Sequence, residues 1–319
     1  MKRIAAFVFG MLAVLAFAGP AAAAYPDRNV TIIVPYPAGG PTDQLARIIA
    51  EKLAKKFGQN FIVENVTGGS TIIASNKVAK AEPDGYTLLL HNLQISANPT
   101  LFKSLPFDTL KDFKTVIMIN RNPLVWVGRP GLPANSFKEF MALMKTQRLK
   151  EALPGFGTTG HLTSRLFAQV TGLKFDEIPY RGGVPAATGI ASGDVPIGAV
   201  TPSSAAPFLE SGKLRVVSLM TRQKPSFAAA WPTLAEQGLA VDAQLWVGLF
   251  ARAHTPTAII DKLDAEVARI LEDPDVRKQL NALGTEAAGL SQAAFAARIR
   301  ADAERYARVI RDAGIRIER

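Results

Sequence analysis

Residues 32–43, Ile-Ile-Val-Pro-Tyr-Pro-Ala-Gly-Gly-Pro-Thr-Asp, restrict the fold more than any other stretch. A β-branched apolar run (Val30, Ile32, Ile33, Val34) stops at two prolines and crosses Gly39-Gly40. It then gives way to apolar residues at helical spacing: Leu45, Ile48, Ile49, Leu53 and Phe57. The pattern predicts a buried strand, a tight loop and a helix whose first position is Pro41, where no N–H is needed. Gly40 is placed to cap that helix and to let backbone amides approach a ligand closely. Such a junction aims free N–H groups and the positive end of a helix dipole at one point, and so attracts an anion. An ordinary strand-to-helix connection explains a single loop of this kind equally well, so the argument for a site rests on recurrence.

The plan does recur. A second strand over 61–66 meets Thr67-Gly68-Gly69-Ser70 and a short helix; after the turn Pro83-Asp84-Gly85, a third apolar strand over 86–90 ends at His91-Asn92, placed to line the site. Strands alternating with helices argue for an α/β domain with binding loops at the carboxyl ends of the strands. Residues 112–129 read as extended, with a crossing to a second domain expected near 127–129. A capping box from Ser136 to Glu139 starts the next helix.

The second region has its own glycine loop, Pro154-Gly155-Phe156-Gly157-Thr158-Thr159-Gly160, ahead of a helix carrying Leu162, Leu166, Phe167 and Val170. Gly155 to Gly160 spells G-x-G-x-x-G, but residues 148–153 do not read as a strand and no βαβ unit frames the motif. It therefore fits an amide-lined anion loop, with Thr158 and Thr159 adding hydroxyls, better than a dinucleotide fingerprint. A strand over 175–180 ends in Arg181-Gly182-Gly183, a fixed positive charge at another strand end. Strands at 196–200 and 214–220 flank a helix at 201–212, after which the chain is expected to return to the first domain. A strand over 244–250 leads to Thr255-Pro256, the expected N-cap and first position of a strongly periodic helix, and two further helices close the chain.

Lys2 and Arg3, the apolar stretch 4–17 and Ala22-Ala23-Ala24 predict a signal peptide over residues 1–24, cut after Ala24, and hence a periplasmic protein. With 0 cysteines there is no disulfide, thiolate metal site or lipid-anchoring cysteine. Without the leader, 35 basic residues face 27 acidic ones. The densest basic stretch (Arg298, Arg300, Arg305, Arg308, Arg311) is interleaved with Asp302, Glu304 and Asp312, which reads as a solvated helix face rather than a nucleic-acid surface. His91, His161 and His254 lack metal-type spacing and no G-x-S-x-G elbow is present, so neither metal, cofactor nor catalytic residue is expected. The alternatives are an exported hydrolase acting through Ser70 or Thr158 on a small anion, and a ligand sensor feeding a signalling partner.

Tyr25-Pro26, Ile32-Ile33-Val34-Pro35 through Gly39-Gly40-x-Thr42-Asp43, Val63-Glu64-Asn65, Pro83-Asp84-Gly85-Tyr86-Thr87-Leu88, His161-Leu162, Pro179-Tyr180-Arg181-Gly182, Pro232-Thr233-Leu234 and Trp246-x-Gly248-Leu249-Phe250 together carry a family resemblance. In these segments the chain closely resembles the Bug-type substrate-binding components of tripartite tricarboxylate transporters, over essentially the whole mature length. The resemblance implies a type II periplasmic binding protein: two α/β lobes, monomeric, that capture a small carboxylate in the cleft between them and present it to a membrane permease. The expected division is 25–127 for the first lobe, 128–221 for the second and 222–290 for the first again, with the C-terminal helix (291–319) unassigned. The ligand loops carried over are Ala38, Gly39, Gly40, Thr42, Asp43 and Gly68, Gly69, Ser70 in the first lobe. In the second they are Phe156, Gly157, Thr158, Thr159 and Tyr180, Arg181, Gly182. Asp43 is expected to bond back to its own loop amides. Thr67 stands where the family commonly has proline and Leu153 where it commonly has serine, and Phe156 is bulky; these departures point to a carboxylate with an apolar or aromatic part.

Overall fold

The computed structural model describes residues 25–134, 136–239 and 242–315; the expected leader lies outside them. The first half of the chain runs β1 (Val30–Val34), α1 (Pro41–Phe57), β2 (Phe61–Asn65), α2 (Ile72–Ala79), β3 (Thr87–Asn92), α3 (Gln94–Leu101), β4 (Phe113–Asn122), β5 (Val125–Gly128), α4 (Phe137–Thr146) and β6 (Leu149–Leu153). The second half runs α5 (Thr159–Thr171), β7 (Phe175–Pro179), α6 (Gly183–Ser192), β8 (Ile197–Val200), α7 (Pro202–Glu210), β9 (Arg215–Leu219), β10 (Leu245–Arg252), α8 (Thr257–Glu272), α9 (Pro274–Ala282), β11 (Glu286–Leu290) and α10 (Gln292–Asp312).

These strands make two mixed sheets, ordered β11-β4-β10-β3-β1-β2 and β7-β6-β8-β5-β9. In each, three strands run parallel (β3-β1-β2; β7-β6-β8) and the strands that lead to the other sheet add antiparallel. The apolar run of β1 is buried on both faces, Ile32 and Val34 on one side and Ile33 on the other. On the first side α1 lays down Leu45, Ile49 and Leu53, and α8 adds Ile260, Leu263 and Val267. Burying each such side chain contributes roughly 1.5 to 3 kcal/mol, so the 3.6-residue stripe holds each helix in place. The second sheet is covered by α4 and α5 on one face and by α6 and α7 on the other.

Residues 149–153, read from sequence as non-strand, form β6, and β6-α5-β7 is a parallel βαβ unit. The charged pair Lys150-Glu151 hides the strand, because Glu151 is completely buried and both its oxygens accept from Ser164 Oγ on α5 (2.7 and 2.5 Å). The passage between sheets also differs from expectation. Asn122 still pairs with Leu245 in the first sheet and Val125 already pairs with Val200 in the second, so the chain crosses at Pro123-Leu124 rather than at 127–129. The return crossing lies near Ala243-Gln244: Thr233 bridges Leu219, and Leu234 and Ala243 are buried in the second lobe's core. The two crossings run side by side, Met220 N–H donating to Leu124 O and Ala243 N–H to Met220 O.

The C-terminal helix α10 packs on the first lobe. Phe295 fills the space above Gly248, where any Cβ would collide with its ring, and the buried Asp302 accepts from Trp246 Nε1 (2.8 Å) and Arg298 Nε (2.7 Å). Its far end reaches the second lobe, where Gln169 of α5 donates to Asp312 (2.6 Å). The strand β11, which the sequence reading leaves unassigned, is Glu-Ala-Ala-Gly-Leu and pairs only along β4 as an edge. Helix α8 begins at Thr257 with Pro256 as its cap, one residue later than expected.

Candidate functional site

The loop after β1 is held from the helix that follows it. Gly40 caps α1 in extended conformation and Pro41 takes the first position, leaving Asp43 at the third. From there the Asp43 carboxylate reaches back and accepts the amide of Gly39, whose φ is +80° (N to Oδ2, 2.8 Å). The hydrogen bond expected of Asp43 is thus present. Arg47 Nε (3.0 Å) and Asn65 Nδ2 (3.0 Å) complete its shell, and Asn65 also donates to Tyr36 O. Burial by itself would raise the Asp43 pKa; the hydrogen bonds from Arg47, Gly39 and Asn65 outweigh it and hold the group below the usual carboxylate range.

The loop after β2 stores strain. Ser70 and Thr71 both have positive φ (51° and 81°), following Gly68 and Gly69. Non-glycine residues there cost about 1 to 3 kcal/mol each and persist only where neighbours enforce them. The enforcers are Gln94, whose side chain donates to Ser70 O, and Asn98, which donates to Thr71 Oγ1. Asn92 serves the same region, its side chain accepting from Gln94 N–H (2.9 Å). His91 does not line an open site: its ring is wholly buried, edge-on to Tyr36, and burial lowers its pKa to about 4, so it is neutral.

In the second lobe the loop after β6 repeats the construction of the first. Thr158 caps α5 through Oγ1, which also donates to Gly155 O (2.7 Å), so this hydroxyl is engaged within the loop. His161, at the third helical position, accepts the amide of Gly157 (φ +70°) on Nδ1 at 2.9 Å. Thr42 and Thr159, at the second and first helical positions, have side chains without a hydrogen bond among the described residues. Phe156 stands 59% exposed with its ring edge-on to His161. Tyr180 turns away from the loops: its ring lies against Gly189 of α6, where a Cβ would overlap it, so only its backbone remains near the strand end. Arg181 is exposed and forms no ion pair among the described residues, and Gly182, with φ +119°, caps α6.

A small crevice of about 20 Å³ joins the lobes. It is lined from the first by Pro41, Asn120, Val247 and Gly284 and from the second by Thr201 and Ser203. The starts of α1 and α7 therefore face one another across it. Because β8 lies beside β6, the loop carrying Phe156 and Gly157 opens at the same end of its sheet as Thr201. Thr201 and Ser203 are additions to the expected set; Thr201-Pro202, a cap followed by proline at the first helical position, repeats the Gly40-Pro41 signature that marks the first loop. A larger groove of about 820 Å³ lies between α4 and β9, lined mainly by apolar groups such as Phe137, Met141 and Leu239, away from both sets of strand ends. Among the described residues no group of three or more His, Cys, Asp or Glu side chains is placed to hold a metal.

Two α/β lobes, linked by paired crossings and opening helix-start loops onto a shared crevice, define a two-lobed solute-binding protein of the periplasmic type. The chain belongs to the tripartite tricarboxylate transporter receptor family (TctC), whose model matches residues 45–315. BugT of Bordetella pertussis is 30% identical over 324 positions, covering 100% of this chain and 99% of BugT. Among solved structures, Rpa4515 of R. palustris with adipate is 32% identical with a TM-score of 0.80, covering 92% of this chain and 100% of that one. MatC from Rhodopseudomonas palustris with bound malate is 31% identical with a TM-score of 0.76, covering 90% and 100%.

Proposed function

We propose that this receptor captures a small carboxylate in the interlobe crevice, using backbone amides from both lobes, and hands it to a membrane permease after export and cleavage behind Ala24. The observation that carries the reading is the duplication of one device: in each lobe a positive-φ glycine amide is tied to the third residue of the next helix, which holds the turn that carries the neighbouring amides. A carboxylate accepting four to six hydrogen bonds at about 1.5 to 3 kcal/mol each gains enough to cover ordering and desolvation and still bind at micromolar levels, which requires about 8 kcal/mol. Both cradles bind only when the crevice shuts, so ligand shifts the population toward the closed form. Adipate and malate, held by two structural relatives, make dicarboxylates the first class to try, and exposed Phe156 favours an apolar or aromatic body. The second-lobe side chains offered to the ligand are those of Phe156, Thr159 and Arg181, while Tyr180 contributes backbone.

Capture without chemistry agrees with the hydrogen bonding: the Thr158 hydroxyl is spent on Gly155, and His161 presents its accepting nitrogen to an amide rather than to a hydroxyl. A thermal-shift screen of mono-, di- and aromatic carboxylates, followed by calorimetry, tests the reading. At least one carboxylate is expected to raise Tm and to be recovered unchanged after incubation; a chemically altered product, or no response across the panel, rejects it.

A further inference from the structure

Gly157 sits in a tight turn and is buried, so its N–H requires an acceptor; leaving such a donor unpaired costs about 1 to 3 kcal/mol. The acceptor is His161 Nδ1, and an imidazole nitrogen accepts only when it carries no proton, so the proton is on Nε2. Nε2 faces Glu177 Oε1 of β7 at 3.2 Å, and Arg165 of α5 holds the other oxygen at 2.6 Å. Burial alone would raise the Glu177 pKa, but His161 and Arg165 bring it below the ordinary value, so an anion lies behind the ring. The Phe156 ring stands edge-on to the imidazole, and Glu151 of β6, which pairs in register with Glu177, is committed to Ser164.

We propose that His161 is the positioning residue of the second-lobe cradle: as the Nε2–H tautomer it withdraws the Gly157 amide and leaves the amides at the start of α5, those of the cap Thr158 and of Thr159, for the ligand. This rests on the carboxylate reading of the loop.

The test begins without a ligand. Nitrogen-15 spectra of the imidazole and amide exchange at Gly157 are recorded for the full mature chain and for His161→Asn and His161→Leu at pH 7.5. The Nε2–H tautomer is expected, with the Gly157 amide at least tenfold better protected in the unmodified protein than in His161→Leu. The asparagine variant, which retains an acceptor near the Nδ1 position, keeps this protection. An Nδ1–H tautomer, or equal protection in all proteins, overturns the proposal; if His161→Leu does not fold, the tautomer and the asparagine comparison decide. Calorimetry with adipate, malate and benzoate then reads function. For whichever binds, His161→Leu weakens it tenfold or more and His161→Asn by less than threefold, whereas equal affinities overturn the positioning role. Failure of all three to bind the unmodified protein counts against the carboxylate reading, while the tautomer and exchange data still decide the clamp.

Discussion

The two cradles solve one steric problem with different chemistry. In the first lobe, Gly39 donates to a carboxylate four residues on; in the second, Gly157 donates to an imidazole four residues on. Asp43 is a charged acceptor, fixed by Arg47 and Asn65, and stays an acceptor down to acid pH. His161 is a neutral acceptor whose role depends on its tautomer, and Glu177 and Arg165 are spent on keeping it so. A charge at a helix start stabilises that helix but competes with an anionic ligand, whereas a neutral ring does not. Placing the charge in one lobe and the neutral ring in the other leaves one cradle robust and the other more receptive to an anion.

The largest expected effect falls on the first cradle alone. Gly40 has ordinary φ, and an added Cβ meets Pro37 O at 3.3 Å, a tight contact that shifts the loop by a few tenths of an ångström without reaching the core, so Gly40→Val keeps the fold while side-chain bulk blocks the amides. Calorimetry should find binding abolished with an unchanged circular dichroism spectrum; unaltered affinity breaks the equivalence of the two loops. The next effect separates the lobes by pH. Burial pushes Glu151 up to about 8, so its contribution to stability is complete below about pH 4.3 and is lost as pH rises through 8, by up to roughly 5 kcal/mol. Glu151→Gln should flatten that slope in urea unfolding measured at pH 5 and pH 8.

Asp43 has the opposite sign: with its pKa lowered in the fold, its contribution is present above about pH 4 and is lost as pH falls through the folded value. Asp43→Ala should cost about 2 to 3 kcal/mol at pH 7 by stranding its donors, and the difference from the unmodified protein should shrink below pH 4. A constant difference across that range removes the charge argument. The smallest effect belongs to Arg181, exposed and unpaired among the described residues. If it meets a ligand carboxylate, Arg181→Ala weakens binding about tenfold, a loss typical of one charge-assisted contact; a change below twofold assigns the second cradle to backbone alone.

The sequence by itself determined the repeated strand, glycine loop and helix, the caps at Gly40 and Ser136, and the position of Asp43, because each depends on residues within a few places of one another. Tyr180 and His91 show where that reach ends: both stand at strand ends suited to ligand contact, yet Gly189 offers one ring a bed and burial hides the other. Strand β6 was hidden because Glu151 reads as a surface residue until Ser164, thirteen positions away, folds over it. Only the tertiary structure decided the crossing points, the facing of Pro41 and Thr201 across one crevice, and the pairing of His161 with Glu177. Those depend on which distant segments exclude water together, and local propensity carries no record of that choice.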